Sequence, residues 1–461
     1  MDKIYIYGAP ASGKTTLGKK MAKALGEKFI DLDEMIIAKE GRFIDKIFAD
    51  DGEGYFRKLE SSVLEEIAIR SDAKVVALGG GTLLDKANRM LCEKTGRIFV
   101  LDVPEKDILR KRIENDTTKR PLGEKSVERL LHYASFENRL HSCFEVANSL
   151  VLVGTKIKDS FLNGNIVVDA TVKKLYPLIK NALSVVPSGE EHKNANTISS
   201  LYKAFSEAGI DRHSVVTAIG GGVTLDLVGF AAATWMRGIS WINIPTTLLS
   251  MVDASIGGKT GYDLECGKNL VGAFHPPKLV VIDTEFLSTL SPALLAQGRA
   301  EMIKHEILGA KKMDIALNRM PSALEISGNI KIKADIVNED FKETLNKRLL
   351  LNLGHTVGHA IEKLSSYTIS HGDAVAIGCV EEARIAVRKS LASKDWVNEL
   401  ISRFREAGLN TSLPKDFTIE KLKMAMRSDK KHNGNTVRFA LPCGWGDVKS
   451  LDIDISKEGD L

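Results

Sequence analysis

Near its start the chain reads Lys3-Ile-Tyr-Ile-Tyr-Gly8-Ala-Pro-Ala-Ser12-Gly13-Lys14-Thr15-Thr16-Leu-Gly-Lys-Lys-Met-Ala-Lys-Ala-Leu25. Residues 3–7 have the pattern of a buried strand, and the apolar positions from Leu17 onward recur with helical spacing. Between them stands Gly8-x-x-x-x-Gly13-Lys14-Thr15, in the strand, loop and helix setting that a phosphate-binding loop requires. Its glycines let successive backbone N–H groups face phosphates at a helix N-terminus, Lys14 adds a positive charge, and Thr15 offers a hydroxyl to magnesium. A chance match to this pattern is common, but a match in this context is not. The first part of the chain is therefore expected to be an α/β unit, a parallel sheet sandwiched by helices. It is expected to bind ATP with Mg2+ through Gly8, Ser12, Gly13, Lys14, Thr15 and Thr16.

Farther along, Lys28-Phe-Ile-Asp31-Leu-Asp33 predicts a second strand ending in two carboxylates on one side of it. One would suit the water shell of the magnesium and the other a substrate hydroxyl; an ordinary strand-end turn is the alternative. Tyr55-Phe56-Arg57-Lys-Leu-Glu60 puts an arginine and a glutamate one helical turn apart. Val75-Val-Ala-Leu-Gly79-Gly80-Gly81 is a buried strand running into three glycines, where a backbone must approach something closely. The pattern changes between Val151 and Asn165, and a fresh α/β pattern starts at Ile166-Val-Val-Asp169, which places a boundary near residue 155.

A second glycine-rich junction follows in Val215-Val-Thr-Ala-Ile-Gly220-Gly221-Gly222-Val-Thr-Leu-Asp226. It suits a pyrophosphate at a helix N-terminus, with Asp226 nearby as an acceptor, although its spacing differs from the usual dinucleotide fingerprint. Thr246-Thr247, Asp253-Ala-Ser-Ile-Gly-Gly-Lys259 and Gly267-Lys268-Asn269 then pack lysines and small polar residues into glycine-rich turns, which bind phosphates and hydroxyls. His355-Thr-Val-Gly-His359 sets two histidines at i and i+4 on one helix face, and His371 lies beyond them. By spacing alone His355 and His359 are the metal ligands, with satisfied core histidines as the alternative. Ala300-Glu301-Met-Ile-Lys304 offers a carboxylate and a lysine on adjacent turns.

The 461 residues leave room for two or three domains. A hydrophobic content of 44% with 27% charged residues suits a globular protein in water, and no apolar run approaches the roughly 18 residues that span a bilayer. With no leader legible, a cytoplasmic setting and no membrane partner are expected. A net charge of +4 without a basic stripe makes nucleic acid a poor partner, so small-molecule substrates are expected instead. The five cysteines, at 92, 143, 266, 379 and 443, form no C-x-x-C pair and signal neither a disulfide framework nor a thiolate zinc site.

With Arg120-Pro-Leu122 and Arg139 added, the first-half motifs resemble shikimate kinase over residues 1–155. The resemblance implies transfer of a phosphoryl group from ATP to shikimate, a reaction that rests on positioning and charge neutralisation. It implies that Arg120 reaches over the ATP phosphates, that Thr15 and Asp31 serve magnesium, and that Asp33 orients the attacking hydroxyl. Arg57, Gly79, Gly80, Gly81 and Arg139 would surround shikimate. The segment opened by Arg139 departs from the family pattern, with His141 and Cys143 where a proline and a tyrosine are usual.

The second-half motifs closely resemble 3-dehydroquinate synthase, which implies an NAD-binding α/β part over 156–295 and a mainly helical metal- and substrate-binding part over 296–461. The resemblance revises the ligand set to Glu301, His355 and His371, around zinc or another divalent metal, and makes His359 an acid/base residue. Lys259 and Glu343 would also be catalytic. Substrate contacts are implied for Arg237, Asp253, Lys259, Lys268, Asn269, Lys304, Lys333, Arg348, Asn352 and Lys431. NAD contacts are implied for Asp169, Glu190, Lys193, Gly221, Gly222, Asp226, Thr246, Thr247, Phe286 and Thr289. The implied reaction turns 3-deoxy-D-arabino-heptulosonate 7-phosphate into 3-dehydroquinate and phosphate, with NAD recycled, in a homodimer formed through this half. The stretch from Asp169 to Glu190 is shorter than in the family, and Leu225, Ala254 and Glu306 replace a usual glycine, serine and glycine. Two other readings stay open: a nucleotide-sensing first half, or a second half akin to a polyol dehydrogenase.

Overall fold

The computed structural model describes residues 2–102, 130–316, 319–427 and 436–457. Two of the expected site residues, Arg120 and Lys431, lie outside the described residues.

In the first half a wholly buried β1 (Lys3–Tyr7) feeds the glycine-rich loop into α1 (Lys14–Leu25). Then come β2 (Phe29–Asp31), α2 (Leu32–Glu40), α3 (Ile44–Arg70, kinked at Gly52), β3 (Val75–Ala77), α4 (Lys86–Thr95), β4 (Gly96–Leu101) and α5 (Leu130–Ala134). A hairpin follows, β5 (Arg139–Val146) and β6 (Ser149–Thr155). Its turn residues Ala147 and Asn148 have φ of 49° and 68°, the left-handed pair that a two-residue hairpin turn demands.

The second half continues with β7 (Asn165–Asp169), α6 (Ala170–Leu175), β8 (Ala182–Val186), α7 (Ala195–Glu207), β9 (Val215–Gly220), α8 (Gly222–Thr234) and β10 (Ser240–Pro245). The hairpin β11 (Lys259–Leu264) and β12 (Gly267–Phe274) precedes β13 (Leu279–Asp283). Helices then dominate: α9 (Pro292–Ile307), α10 (Ala323–Glu339), α11 (His355–Leu364), α12 (His371–Arg388), α13 (Lys394–Glu406) and α14 (Ile419–Arg427), closed by the hairpin β14 (Thr436–Gly444) and β15 (Asp447–Asp454).

Among the described residues eleven strands form one sheet, in the order β2-β3-β1-β4-β5-β6-β13-β10-β9-β7-β8. All neighbours are parallel except β5 and β6. The sheet therefore runs unbroken through the expected boundary near residue 155, because β6 pairs with β5 on one side and with β13 on the other. One apolar core spans the seam: Ile4 and Phe99 belong to the same buried cluster as Val153, Ile282 and Ile330. Since strands on the two sides run in opposite directions, and ligands bind beyond the carboxyl ends of parallel strands, the two candidate sites open in opposite directions along the sheet.

One local expectation changes. β2 ends at Asp31, whose Oδ1 accepts the N–H of Asp33 (3.0 Å) and Glu34 (3.4 Å) and so caps α2. Asp33 therefore sits in the first turn of a helix and does not share a strand face with Asp31.

Candidate active sites

The glycine-rich loop curls through positive φ at Gly8 (147°), Ala11 (57°) and Gly13 (95°), the kind of backbone that gathers N–H groups around an anion. Lys14 is buried and folds back onto the loop, donating to Gly8 O (3.0 Å) and Ala9 O (2.9 Å). Ser12 Oγ is buried without a hydrogen-bond partner among the described residues, and a side chain on Gly8 would meet it at 3.3 Å. An unspent buried hydroxyl in a glycine cradle fits a phosphate oxygen. Thr16 is exposed beside it. Thr15 Oγ1 donates to Asp31 Oδ2 at 2.6 Å, an oxygen pair suited to a magnesium ion and its waters.

Next to this loop a second pocket closes around Gly79. A side chain there would strike Glu60 Oε1 at 2.8 Å, Thr82 Oγ1 at 2.9 Å and Asp33 Oδ1 at 3.2 Å, so only glycine leaves room. Glu60 is fully buried; it pairs with Arg57 Nη1 at 2.7 Å and accepts the Thr82 hydroxyl at 2.6 Å. Gly80 presses against Pro10, and its carbonyl accepts the hydroxyls of Tyr7 (3.2 Å) and Tyr133 (2.6 Å). Gly81 leads into the short turn that carries Thr82. Arg139 lies at the carboxyl end of β4, where its guanidinium and the ring of His141 share the carboxylate of Asp102.

In the second half Glu301 on α9 meets His355 and His371, the first residues of α11 and α12. One ligand atom from each lies within 4.8 Å of the other two. His355 Nε2 is 3.5 Å and His371 Nε2 3.4 Å from Glu301 Oε1, while their Nδ1 atoms are spent on Leu353 O (3.0 Å) and Glu362 Oε1 (3.2 Å). Both Nε2 atoms are thereby aimed at the carboxylate, a donor set of two imidazoles and an acid that fits zinc with coordination positions to spare. His359 is exposed and outside the trio, its ring centre 5.3 Å from that of His355. The pair read from spacing alone shares a helix face, but the third donor comes from the start of another helix.

Charge around the trio is dense. Lys304, on the next turn of α9, pairs with buried Glu301 and donates to Leu351 O (3.0 Å). Burial pushes the Glu301 carboxyl up, but Lys304 and His355 outweigh it and hold the group well below its ordinary range. Lys333 donates to Asp253 Oδ1 (2.7 Å) and Asp253 O (2.6 Å). Glu343 pairs with Lys259 and lies 3.5 Å from Arg348 Nε, and Asn352 ends the neighbouring turn half-buried.

The glycine-rich junction of this half sits between these groups and the sheet. Gly221 caps α8 and faces Thr247, which a side chain on it would meet at 3.3 Å; Thr246 donates its N–H to Gly220 O (2.9 Å), and Gly222 opens the helix. Buried Lys193 donates to Asp226 Oδ2 and Asn269 Oδ1, both at 2.7 Å. Glu190 pairs with Lys268 at 3.3 Å, and Asp169 caps α6. Phe286 is buried against Tyr176, and the Thr289 hydroxyl donates to Phe286 O (3.0 Å) and lies 3.2 Å from the Tyr176 hydroxyl. Arg237 is exposed on the turn after α8, and no hydrogen bond or ion pair joins it to the cluster among the described residues.

The family model for shikimate kinase matches residues 10–170, and those for the N-terminal and C-terminal parts of 3-dehydroquinate synthase match residues 183–297 and 298–432. The 3-dehydroquinate synthase of Nostoc punctiforme is 41% identical over 284 residues, 59% of this chain and 78% of that protein. The chain belongs to the 3-dehydroquinate synthase family, with a shikimate kinase fused ahead of it. The synthase of Prochlorococcus marinus strain NATL1A is 38% identical over 322 residues, 67% of this chain and 86% of that one. Among solved structures, the 2-epi-5-epi-valiolone synthase of Streptomyces hygroscopicus, with NAD+ and Zn2+ bound, has a TM-score of 0.60 at 26% identity, covering 68% of this chain and 95% of that one.

Several residues that hold the kinase and synthase sites carried no sequence signal of their own. Asp102 and Thr82 reach theirs only through the fold. Glu362 was findable, one turn beyond His359 on the histidine face, and it orients His371. Glu306, which replaces a glycine in the synthase half, is buried and takes two bonds from Arg403, at 2.6 and 2.9 Å. Glu382 on α12 accepts the N–H groups of Gly354 (2.7 Å) and Val357 (3.2 Å) and so caps the helix that starts with His355.

Burial pushes the Glu382 carboxyl up to about 8, against the pull of those backbone N–H groups. An acid whose pKa is raised by folding binds its proton more tightly when folded, so its contribution is complete at low pH and is lost as pH climbs from about 4.5 through about 8. The melting temperature of Glu382→Gln, which cannot titrate there, is expected to gain on that of the wild type over that window. A constant gap across a pH series of melts would count against the assignment.

Proposed function

We propose that the chain phosphorylates shikimate with ATP at its first site and, at its second, converts 3-deoxy-D-arabino-heptulosonate 7-phosphate to 3-dehydroquinate and phosphate. The observation that carries the second half of this reading is the Glu301, His355 and His371 trio set among Lys259, Lys304, Lys333 and Arg348. A polyol dehydrogenase has no phosphate or carboxylate to hold and no need of so many cations. For the first half, the Asp33, Arg57 and Glu60 pocket weighs against a nucleotide sensor, which needs no second substrate site.

In the kinase half, Lys14 and the loop N–H groups hold the ATP phosphates, with Arg120 assigned the same task from outside the described residues. Magnesium, held near Thr15 and Asp31, supplies charge neutralisation. Asp33 accepts the proton of the attacking shikimate hydroxyl, and Arg57 binds the carboxylate as a forked donor. Arg57→Ala should raise the shikimate KM about 10- to 100-fold, as loss of a charged hydrogen-bond pair does, and lower kcat less. A KM unchanged in steady-state assays would remove Arg57 from the pocket.

In the synthase half, bound NAD supplies a reversible hydride acceptor and a divalent metal, zinc among them, supplies Lewis acidity at the alcohol being oxidised. The lysines and Arg348 hold the substrate's phosphate and carboxylate, Lys193 and Asp226 line the NAD side, and exposed His359 moves protons at the open edge of the site. A carbonyl formed next to the reacting carbon acidifies it, a proton and then phosphate leave, the hydride would return to the carbonyl, and the ring opens and closes again as an aldol. The division into 1–155, 156–295 and 296–461, dimerisation through the synthase half and a cytoplasmic setting belong to the same reading. Among the described residues no helix is long and apolar enough to cross a membrane. The test is product analysis by NMR with one purified protein and both substrate sets. Shikimate 3-phosphate from one mixture and 3-dehydroquinate from the other are expected, and the absence of either removes that half of the proposal.

A further inference from the structure

The hairpin β5–β6 is an element of both halves. It opens with Arg139 at the carboxyl end of the kinase strand β4, and its second strand carries the synthase strand β13. Its outer face supports α10, the helix that bears Lys333. Buried Ile330 and Val337 pack it into the same core as Val146 and Val151 of the hairpin, and two polar contacts tie it there as well. Near the start of α10, Ser327 bonds to Ser142 of β5. Near its end, Asn338 closes on the hairpin tip: its Oδ1 accepts the N–H of Ala147 (2.9 Å) and its Nδ2 donates to the carbonyl of Glu145 (3.0 Å). The side-chain amide thus serves the turn as an added piece of backbone would, across about 190 residues of sequence.

Ser327 and Asn338 are three helical turns apart and lie on one face of α10. Lys333, between them, is turned about 240° from Ser327, so it points away from the hairpin. There it is buried and reaches Asp253 with two bonds, at 2.6 and 2.7 Å. A helix held at two points on one face has a fixed rotation about its axis, and that rotation decides where its other face aims a side chain.

We infer that Asn338 is a positioning residue of the synthase reaction: by pinning α10 to the hairpin that begins with the kinase residue Arg139, it aims Lys333 at the substrate. The inference rests on the proposed synthase reading, in which Lys333 binds the substrate. Loss of Asn338 removes the polar tie of the last turn of α10 and leaves its rotation to apolar packing such as that of Val337, which is less directional.

The experiment uses the full chain carrying Asn338→Ala or Asn338→Asp, with heptulosonate phosphate, NAD and zinc. For Asn338→Ala the KM for the heptulosonate phosphate should rise about tenfold, as expected for a small misplacement of a binding group, with kcat within about twofold. Zinc content and the kinase KM for shikimate should not move. Asn338→Asp keeps an acceptor for Ala147 N–H but no donor for Glu145 O, and should fall between Asn338→Ala and wild type. An unchanged KM in Asn338→Ala, or equal losses in both activities that track a lowered melting temperature, would overturn the inference and leave Asn338 a structural residue. A wild-type protein that releases no phosphate would overturn the synthase reading itself, and the inference with it.

Discussion

Lys14→Ala should reduce kinase turnover by about a thousandfold or more and leave the synthase rate within about twofold. Removing a preorganised cation from a phosphoryl-transfer site costs rates of that order, because the reaction draws almost all of its acceleration from charge and position. Lys14 is buried, and its ammonium donates to its own loop at Gly8 O (3.0 Å) and Ala9 O (2.9 Å). Truncation therefore takes the cation out of the phosphate cradle. The check is a pair of steady-state assays on one preparation. A collapse of both rates would mean that the kinase loop supports the synthase, contrary to two independent sites.

His371→Ala should lose bound zinc and synthase activity together, whereas His359→Ala should keep its zinc and lose only rate. The trio Glu301, His355 and His371 holds its ligand atoms within 4.8 Å of one another, and His359 is not in it. Removing one of three protein donors leaves too few for a tight site, and Glu362 would lose the ring it orients. Metal analysis after dialysis against a weak chelator separates the two variants. Equal zinc loss in both would restore the pair His355 and His359 that helical spacing suggests.

Much of this was legible because the information was local. The phosphate loop, the triple glycines and the strands that feed them are contiguous, so strand period, glycine and helix start could be read together. The alternation suggests more strand at Asp33, but a side-chain cap competes with strand continuation: Asp31 accepts the N–H groups of Asp33 and Glu34 and starts α2 there. The metal trio was not fixed by spacing, since its members begin or occupy three helices that only the fold brings together. Resemblance names it, and the fold brings the three ligand atoms within 4.8 Å of one another. Asp102, Thr82 and Asn338 gave no sequence signal at all, because their partners lie 22 to 193 residues away.

The seam also bears on why the two halves are joined. Of the segment from Arg139 to Ala147, matched by resemblance to the end of the kinase, Arg139–Val146 forms a strand that buries Leu140 and Val146, and that strand continues the sheet into the synthase. A shared strand gives each half an edge that is covered, which removes two exposed sheet edges at once. It also sets the two sites facing opposite ways, and 3-dehydroquinate is not the substrate of the kinase. The fusion therefore offers mutual support and equal dosage, and direct channelling between the sites does not follow from it.

The most direct test of the account is phosphate release from 3-deoxy-D-arabino-heptulosonate 7-phosphate by the purified chain with zinc and a catalytic amount of NAD, followed together with NADH absorbance. Phosphate in proportion to the substrate consumed is expected, with no net NADH, because the hydride is returned before the product leaves. NADH accumulating in step with substrate, or no phosphate at all, would contradict it.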